Sequence, residues 1–130
     1  MTKRHMPMTR DDLSQLVSAL GDGDEDAFHT LIEAPHDIVP ILIEEYQLQT
    51  DGYLRASLVE VIWQHRLPST VPFLLTVLGD NHDEVWKQAL DGLVTIGGDE
   101  VKSGLQKHKT QLTLADPKVS WIDEAREQLC

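Results

Sequence analysis

Residues 38–45 read IVPILIEE and residues 70–77 read TVPFLLTV, so a valine–proline pair opens two apolar runs 32 positions apart. Pro40 and Pro72 would break the interior of a helix, because proline has no amide hydrogen to donate. In the first turn nothing is lost, since the first amide groups of a helix have no acceptor within it. We therefore predict that each proline marks a helix start and that the two helices are copies of one another.

The residues in front of the two pairs support this interpretation. Asp37 and Ser69 precede them, and both are residue types favoured as helix N-caps. A third copy, DEVKSGL, places Asp99 at the cap and Val101 at the valine, 30 positions further on and without the proline. The pattern predicts three related helices that start near residues 38, 70 and 100.

The segments between these helices repeat as well. YLRASLVEVIWQH (53–65) aligns with EVWKQALDGLVTI (84–96) at a shift of 31, and both carry apolar residues at helical spacing, in two stripes. Weaker copies are DEDAFHTLIE (24–33) and DPKVSWIDEAREQL (116–129). A period near 31 with two helices in each unit is typical of an α-solenoid, in which neighbouring hairpins bury each other's apolar faces.

These segments resemble the bacterial HEAT-like repeats, a short kind of helical hairpin also found in phycobilisome lyases. The matching features are the openings Leu54-Arg55 and Val85-Trp86, the turn Ile96-Gly97-Gly98 and the valine–proline helix starts. Trp86 departs from the pattern, because it replaces the usual arginine. The resemblance implies an all-α fold, a short right-handed α-solenoid of about three HEAT-like hairpins with capping helices.

The length of 130 residues suits one domain, predicted here over residues 1–130. TRDDLSQLVSAL (9–20), with Thr9 as its N-cap, is expected to form the first capping helix. Residues 1–9 are expected to be flexible.

Acidic residues are concentrated in the first third of the chain. The net charge is −11, and between Arg10 and Arg55 there is no lysine or arginine. A surface of this kind repels nucleic acids and anionic membranes and attracts a basic protein partner. The alternative is that these residues serve solubility alone. The eleven acids of this stretch are Asp11, Asp12, Asp22, Asp24, Glu25, Asp26, Glu33, Asp37, Glu44, Glu45 and Asp51.

The single cysteine, Cys130, allows no disulfide within the chain. The basic start of the sequence is not followed by the apolar segment of a secretory signal, and no apolar run approaches the length of a membrane span. We therefore expect a cytoplasmic protein.

One stretch resembles a calcium loop. DGDEDAFHTLIE (22–33) has carboxylates at positions 1, 3, 5 and 12 of an EF-hand. Ala27 stands where that loop needs glycine, and Pro35 interrupts the helix that should follow. The alternative, an acid-rich helix N-terminus favoured by the helix dipole, is the one we prefer.

No other motif predicts chemistry. The six histidines lack HxxxH or HExxH spacing, and His65 and His108 fall on apolar stripes, so both are expected to be packed or partly buried. Cys130 has no neighbouring charges that would activate a thiol. Nucleophile-elbow, phosphate-loop and dinucleotide-binding patterns are absent from the sequence. We predict that the protein is not an enzyme and has no metal or cofactor.

The resemblance implies that a partner binds on the concave face lined by the second helix of each hairpin. We call the residues predicted to lie there the predicted strip. Its apolar members would serve as anchors beside acids; the alternative is that Ile41, Phe73 and Val77 pack between repeats. The predicted strip consists of Asp37, Ile41, Glu44, Glu45, Leu48, Phe73, Thr76, Val77, Asp80 and Gln106.

Three functions are compatible with the sequence. Small acidic HEAT-like proteins resemble some bacterial immunity proteins, which implies a protein that neutralises a basic toxin, such as a nuclease, through an acidic concave face. The alternative is an assembly or regulatory scaffold that binds another cytoplasmic protein. A lyase-like activity is disfavoured, because such relatives need a chromophore pocket and a longer solenoid.

Overall fold

The computed structural model describes residues 8–129, and this part of the chain is helical, with no strand. The all-α class is confirmed. Within residues 8–129 every helix is too short or too polar to cross a lipid bilayer. The α-helices are α1 (Arg10–Gly21), α2 (Glu25–Glu33), α3 (Val39–Leu48), α4 (Gly52–Gln64), α5 (Val71–Val77), α6 (Asp83–Ile96), α7 (Asp99–Thr110) and α8 (Pro117–Gln128).

Both valine–proline pairs begin helices, as predicted. Val39 and Val71 are the first residues of α3 and α5, and Pro40 and Pro72 are the second. Each proline therefore lies in the first turn, where its missing amide hydrogen leaves no carbonyl unsatisfied.

The predicted caps of these two helices are wrong. Asp37 and Ser69 lie inside short 3-10 helices that lead into α3 and α5, and the N-caps are Ile38 and Thr70, neither of which makes a side-chain capping bond. The amide of Ile38 donates to the carbonyl three residues earlier at 3.2 Å, and the amide of Thr70 does the same at 2.9 Å. Backbone bonds of the tighter helix thus replace the side-chain cap.

Asp99 is also not a cap, because it is the first residue of α7. Gly97 and Gly98 have φ of 69° and 100°, a region that side chains with a Cβ rarely adopt. The two glycines turn the chain directly from α6 into α7, so Gly98 occupies the N-cap position.

The cap of the first helix is confirmed. The Thr9 hydroxyl accepts the amide of Asp12 at 3.0 Å, and the Asp12 carboxylate accepts the amide of Thr9 at 3.0 Å. This reciprocal pair is a capping box, and it satisfies two amides that the helix itself leaves free.

The described helices pack mainly on helices of the neighbouring unit, and the pairs α2/α3, α4/α5 and α6/α7 are not among these main contacts. Among the first helices of the hairpins, α2 contacts α4, α4 contacts α6 and α6 contacts α8. Among the others, α3 packs on α4, α5 on both α6 and α7, and α7 on α8, while α1 covers α2 and α4. The solenoid and its right-handed sense remain predictions.

The two apolar stripes predicted for the central helices are largely buried. In α4, Leu58 and Ile62 of one stripe and Val59 of the other are inaccessible to solvent, and the corresponding residues of α6 include Ala89 and Leu93. A single stripe would not suffice here, because α4 packs on α1, α3 and α6 at once. Trp63 and Val94, at the ends of the second stripe, are half-buried.

Candidate protein-interaction surface

The structure does not place all of the predicted strip on the surface. Val77 is 2% exposed and lies in the core, and the Asp80 side chain is 3% exposed. These two assignments to an exposed surface are wrong, since neither side chain is accessible to a partner. Ile41 and Phe73 are half-buried and pack against the core, so the alternative that the strip's apolar residues pack inside the molecule describes them better.

Asp80 is the centre of a buried polar cluster. Its Oδ2 accepts the Tyr46 hydroxyl at 2.7 Å and forms an ion pair with Arg55, and its Oδ1 accepts the amide of His82 at 2.9 Å. The Arg55 guanidinium also lies 4.6 Å from the centre of the Tyr46 ring. These contacts join α3, α4 and the turn before α6. We call Tyr46, Arg55 and Asp80 the closed cluster.

The closed cluster shifts the pKa values of its members. Burial opposes ionisation of Asp80, but the hydrogen bonds from His82 and Tyr46 and the charge of Arg55 outweigh it and lower the pKa of this carboxyl. Burial, together with the hydrogen bond to the Asp80 carboxylate, raises the pKa of Tyr46 to about 12. The cluster therefore stays ionised at Asp80 and neutral at Tyr46 over the physiological range.

The exposed part of the predicted strip is already partly neutralised. One guanidinium nitrogen of Arg10 lies 3.0 Å from a carboxylate oxygen of Glu44, and the other terminal nitrogen lies 3.6 Å from a carboxylate oxygen of Glu45. Leu48, at 70% exposed, is the largest apolar side chain that remains open there, and Asp37, Thr76 and Gln106 are exposed polar residues. Whether these residues contact a partner remains a prediction.

A second surface lies on the first helices of the hairpins, where no site was predicted. A cleft of about 670 Å³ lies between α4 and α6, and one of about 200 Å³ lies between α4 and the α1–α2 turn with α2. Tyr53, Ser57 and Glu60 line both clefts. Their spacing in the sequence places them on one face of α4. We call the two clefts together the Tyr53 groove.

The Tyr53 groove has one sign of charge. The residues that line it include five carboxylates and no lysine or arginine. None of the five takes part in an ion pair with any residue between 8 and 129. A groove lined in this way concentrates negative potential and attracts cations. The five carboxylates belong to Asp24, Glu25, Glu60, Asp83 and Glu84.

Tyr53 lies where the two clefts meet, because it lines both of them. It is 59% exposed, although its hydroxyl approaches the α1–α2 turn at Gly23. Gly52, which begins α4, lies directly against the His82 ring and has no space for a Cβ. This close approach places the first turn of α4 beside the start of α6, so the aromatic ring stands next to the acidic residues of both neighbouring helices.

Glu60 forms part of the floor of the groove. Burial raises its pKa, and the negative charge of Asp91 raises it further. The pKa of Asp91 is itself raised by burial. A cation brought to this position by a partner would relieve both effects, because an opposite charge favours the ionised carboxylate.

The calcium-loop alternative does not describe the acids around residue 24. The Asp24 carboxylate accepts the amides of Asp26 at 2.9 Å and Ala27 at 3.3 Å, so it caps α2. The interpretation as an acid-rich helix N-terminus is confirmed. Between residues 8 and 129, no three His, Cys, Asp or Glu side chains are grouped so as to hold a metal ion.

His65 and His108 were predicted to be packed or partly buried, and both are. His65 is buried, with Nε2 3.0 Å from the Leu31 carbonyl and Nδ1 2.8 Å from Nδ1 of His36, and burial lowers its pKa. His108 is half-buried, and burial together with the charge of Lys118 lowers its pKa. The assignment of Cys130 as unreactive lies outside the described residues.

Comparison of the chain with protein-family models, with curated proteins and with solved structures finds no match. The function of the two surfaces therefore has to be inferred from their own geometry and charge.

Proposed function

We propose that this chain is a non-catalytic protein-binding module, that its hairpins form a short right-handed HEAT-like solenoid, and that its partner is a basic protein. One observation carries the proposal. Of the eleven acids between Arg10 and Arg55, ten are exposed and the eleventh, Glu45, is half-buried. Only Glu44 and Glu45 form an ion pair with another described residue. The remaining nine form no ion pair with a described residue, although Asp12, Asp24 and Asp51 accept backbone amides at helix starts.

The specific form of the proposal is a cytoplasmic immunity protein that neutralises a basic nuclease toxin. A nuclease cleft that holds a phosphate backbone is positively charged. A protein of net charge −11 would be steered towards such a cleft, and the exposed acids would occupy the place of the phosphates.

Affinity capture from lysate of the source cells tests this function. The native chain would be immobilised beside a variant in which Asp22, Asp26 and Glu33 are changed to the corresponding amides. We expect one dominant basic protein on the native chain and much less of it on the variant. If its nuclease activity is abolished by one equivalent of the native chain, the immunity function is supported. A dominant acidic or neutral partner, retained equally by both, would overturn the proposal.

A scaffold that binds a partner without strong charge is the second candidate. It is favoured by the pairing of Arg10 with Glu44 and Glu45, which lowers the charge of the predicted strip and leaves Leu48 as an apolar contact. Salt separates the two candidates. Association with a basic partner should slow markedly as ionic strength rises, whereas association through Leu48 should change little.

A further inference from the structure

The closed cluster shows how this fold holds an arginine. Arg55 lies over the ring of Tyr46 and is paired with the Asp80 carboxylate. A guanidinium suits such a position because it is planar, stacks on aromatic rings and donates several hydrogen bonds to a carboxylate. All three groups come from the chain itself.

The Tyr53 groove contains the same kinds of group without the cation. It has an exposed tyrosine ring, carboxylates on both sides of that ring, and no lysine or arginine among the described residues that line it; its one histidine, His82, lies 3.3 Å from the Asp80 carboxylate. Asp24 and Glu25 belong to the smaller cleft, Asp83 and Glu84 to the larger, and Glu60 to both. Asp24 and Asp83 also accept hydrogen bonds from their own helices. An exposed ring beside carboxylates that form no ion pair within residues 8–129 is complementary to an arginine supplied from outside.

The shape of the groove indicates what carries that arginine. The larger cleft, at about 670 Å³, falls within the size range of ligand sites, and the smaller one, at about 200 Å³, lies below that range. Because the two clefts meet at Tyr53, a chain that crosses α4 can place one basic side chain on each side of the ring.

We propose that the Tyr53 groove is the docking site for an arginine-bearing segment of a basic protein partner, laid across α2, α4 and α6. A guanidinium stacks on Tyr53 and pairs with Glu60, and a second basic residue reaches Glu84 or Glu25. This inference rests on the proposed function and deepens it, since it moves the contact from the predicted strip on the second helices to the groove on the first.

The chain contains a matched pair of positions for the test. The triplet Asp-Glu-Val begins both α6, at residues 83–85, and α7, at residues 99–101. Glu84 and Glu100 are both exposed second residues of their helices, but only Glu84 lines the groove. The variants E84K and E100K therefore make the same change of charge at the same helical position, inside and outside the proposed site.

The experiment is an NMR titration of the ¹⁵N-labelled chain with a hexa-arginine peptide, repeated with hexa-lysine and with spermine. We expect shifts centred on Tyr53, Glu60 and Glu84. E84K should weaken hexa-arginine binding about five-fold and E100K less than two-fold. Y53A should weaken hexa-arginine binding about three-fold but leave hexa-lysine binding nearly unchanged, because the weaker stacking of the ammonium group contributes less. Circular dichroism checks that each variant is folded.

Three outcomes would overturn the inference: shifts centred on Asp37 and Glu44, equal losses in E84K and E100K, or spermine and hexa-lysine binding as tightly as hexa-arginine. The first of these leaves the proposed function standing, because a basic ligand would still bind, at the predicted strip. Failure of the proposed function has a separate sign, the capture of a neutral or acidic partner in the affinity experiment.

Discussion

The closed cluster and the Tyr53 groove contain the same residue types, but only the closed cluster also contains an arginine. In the closed cluster, a tyrosine and a carboxylate surround Arg55 and are hidden from solvent. In the groove, a tyrosine and five carboxylates are accessible, and the described residues that line it include no lysine or arginine. A carboxylate whose partner lies on the same chain stabilises the fold, whereas a carboxylate without one is available to another molecule. The proposed docking site therefore differs from the closed cluster in having no arginine among the described residues that line it.

The largest effect should come from removing Arg55. R55M would leave the buried Asp80 carboxylate without its cation, and we expect a loss of about 3 kcal/mol in the free energy of unfolding. Urea denaturation followed by circular dichroism measures it. The control is R10M, which removes an exposed arginine from Glu44 and Glu45 and should cost less than about 1 kcal/mol. Equal losses in the two variants would show that Asp80 is not a structural centre.

The two tyrosines offer a smaller and cleaner contrast. Y46F removes the hydroxyl that donates to Asp80 at 2.7 Å, and we expect it to lower the free energy of unfolding by about 1.5 kcal/mol. Y53F removes a hydroxyl from a ring that is 59% exposed and should change stability by less than about 0.5 kcal/mol. Both changes delete a single oxygen atom, so thermal melts of the two proteins can be compared directly. A larger loss in Y53F than in Y46F would contradict the assignment of the two rings.

The periodic part of the fold could be predicted from the sequence, because it depends on local chemistry. Apolar spacing predicted the stripes of α4 and α6, Thr9 predicted a cap, and the two prolines predicted the starts of α3 and α5. The 3-10 helices that displace Asp37 and Ser69 from their predicted capping roles were missed. A favourable cap residue does not indicate that backbone bonds have already taken its place.

The site was harder to predict, because it depends on contacts between distant residues. Tyr46 contacts Asp80 from 34 positions away, and nothing in the local pattern indicates that Asp80 is buried.

The distribution of charge along the sequence was also misleading, because it drew attention only to the first third of the chain. Arg10, at the edge of the acidic stretch, folds back on Glu44 and Glu45. The groove instead takes Glu60, Asp83 and Glu84 from the charge-balanced remainder of the chain. The sequence did contain one indication of the groove: Tyr53 and Glu60 lie seven positions apart on α4, and this spacing places them on one face of the helix.

The smallest expected effect concerns stability against pH, and here the two regions should differ in sign. The pKa of Glu60 is raised, so its ionised form disfavours the folded state, and E60Q should be slightly more stable than the native protein at neutral pH, by no more than about 0.5 kcal/mol. As the pH falls through the raised pKa, the native carboxyl takes up a proton first in the folded state, so this advantage of E60Q should shrink.

Asp80 should show the reverse. Its pKa is lowered, so its ionised form favours the folded state, and D80N should be less stable than the native protein at neutral pH. That deficit should narrow only below the ordinary carboxyl pKa of 3.8, as the pH falls through the lowered value. The free energy of unfolding can be measured in urea from pH 7 to acid for the native protein and for each variant. The difference between the native protein and a variant at each pH reports the substituted carboxyl alone, because His65 and His108 titrate in both. If E60Q proves less stable than the native protein at pH 7, Glu60 already has a stabilising partner on its own chain, and the contrast between a closed and an open cluster fails.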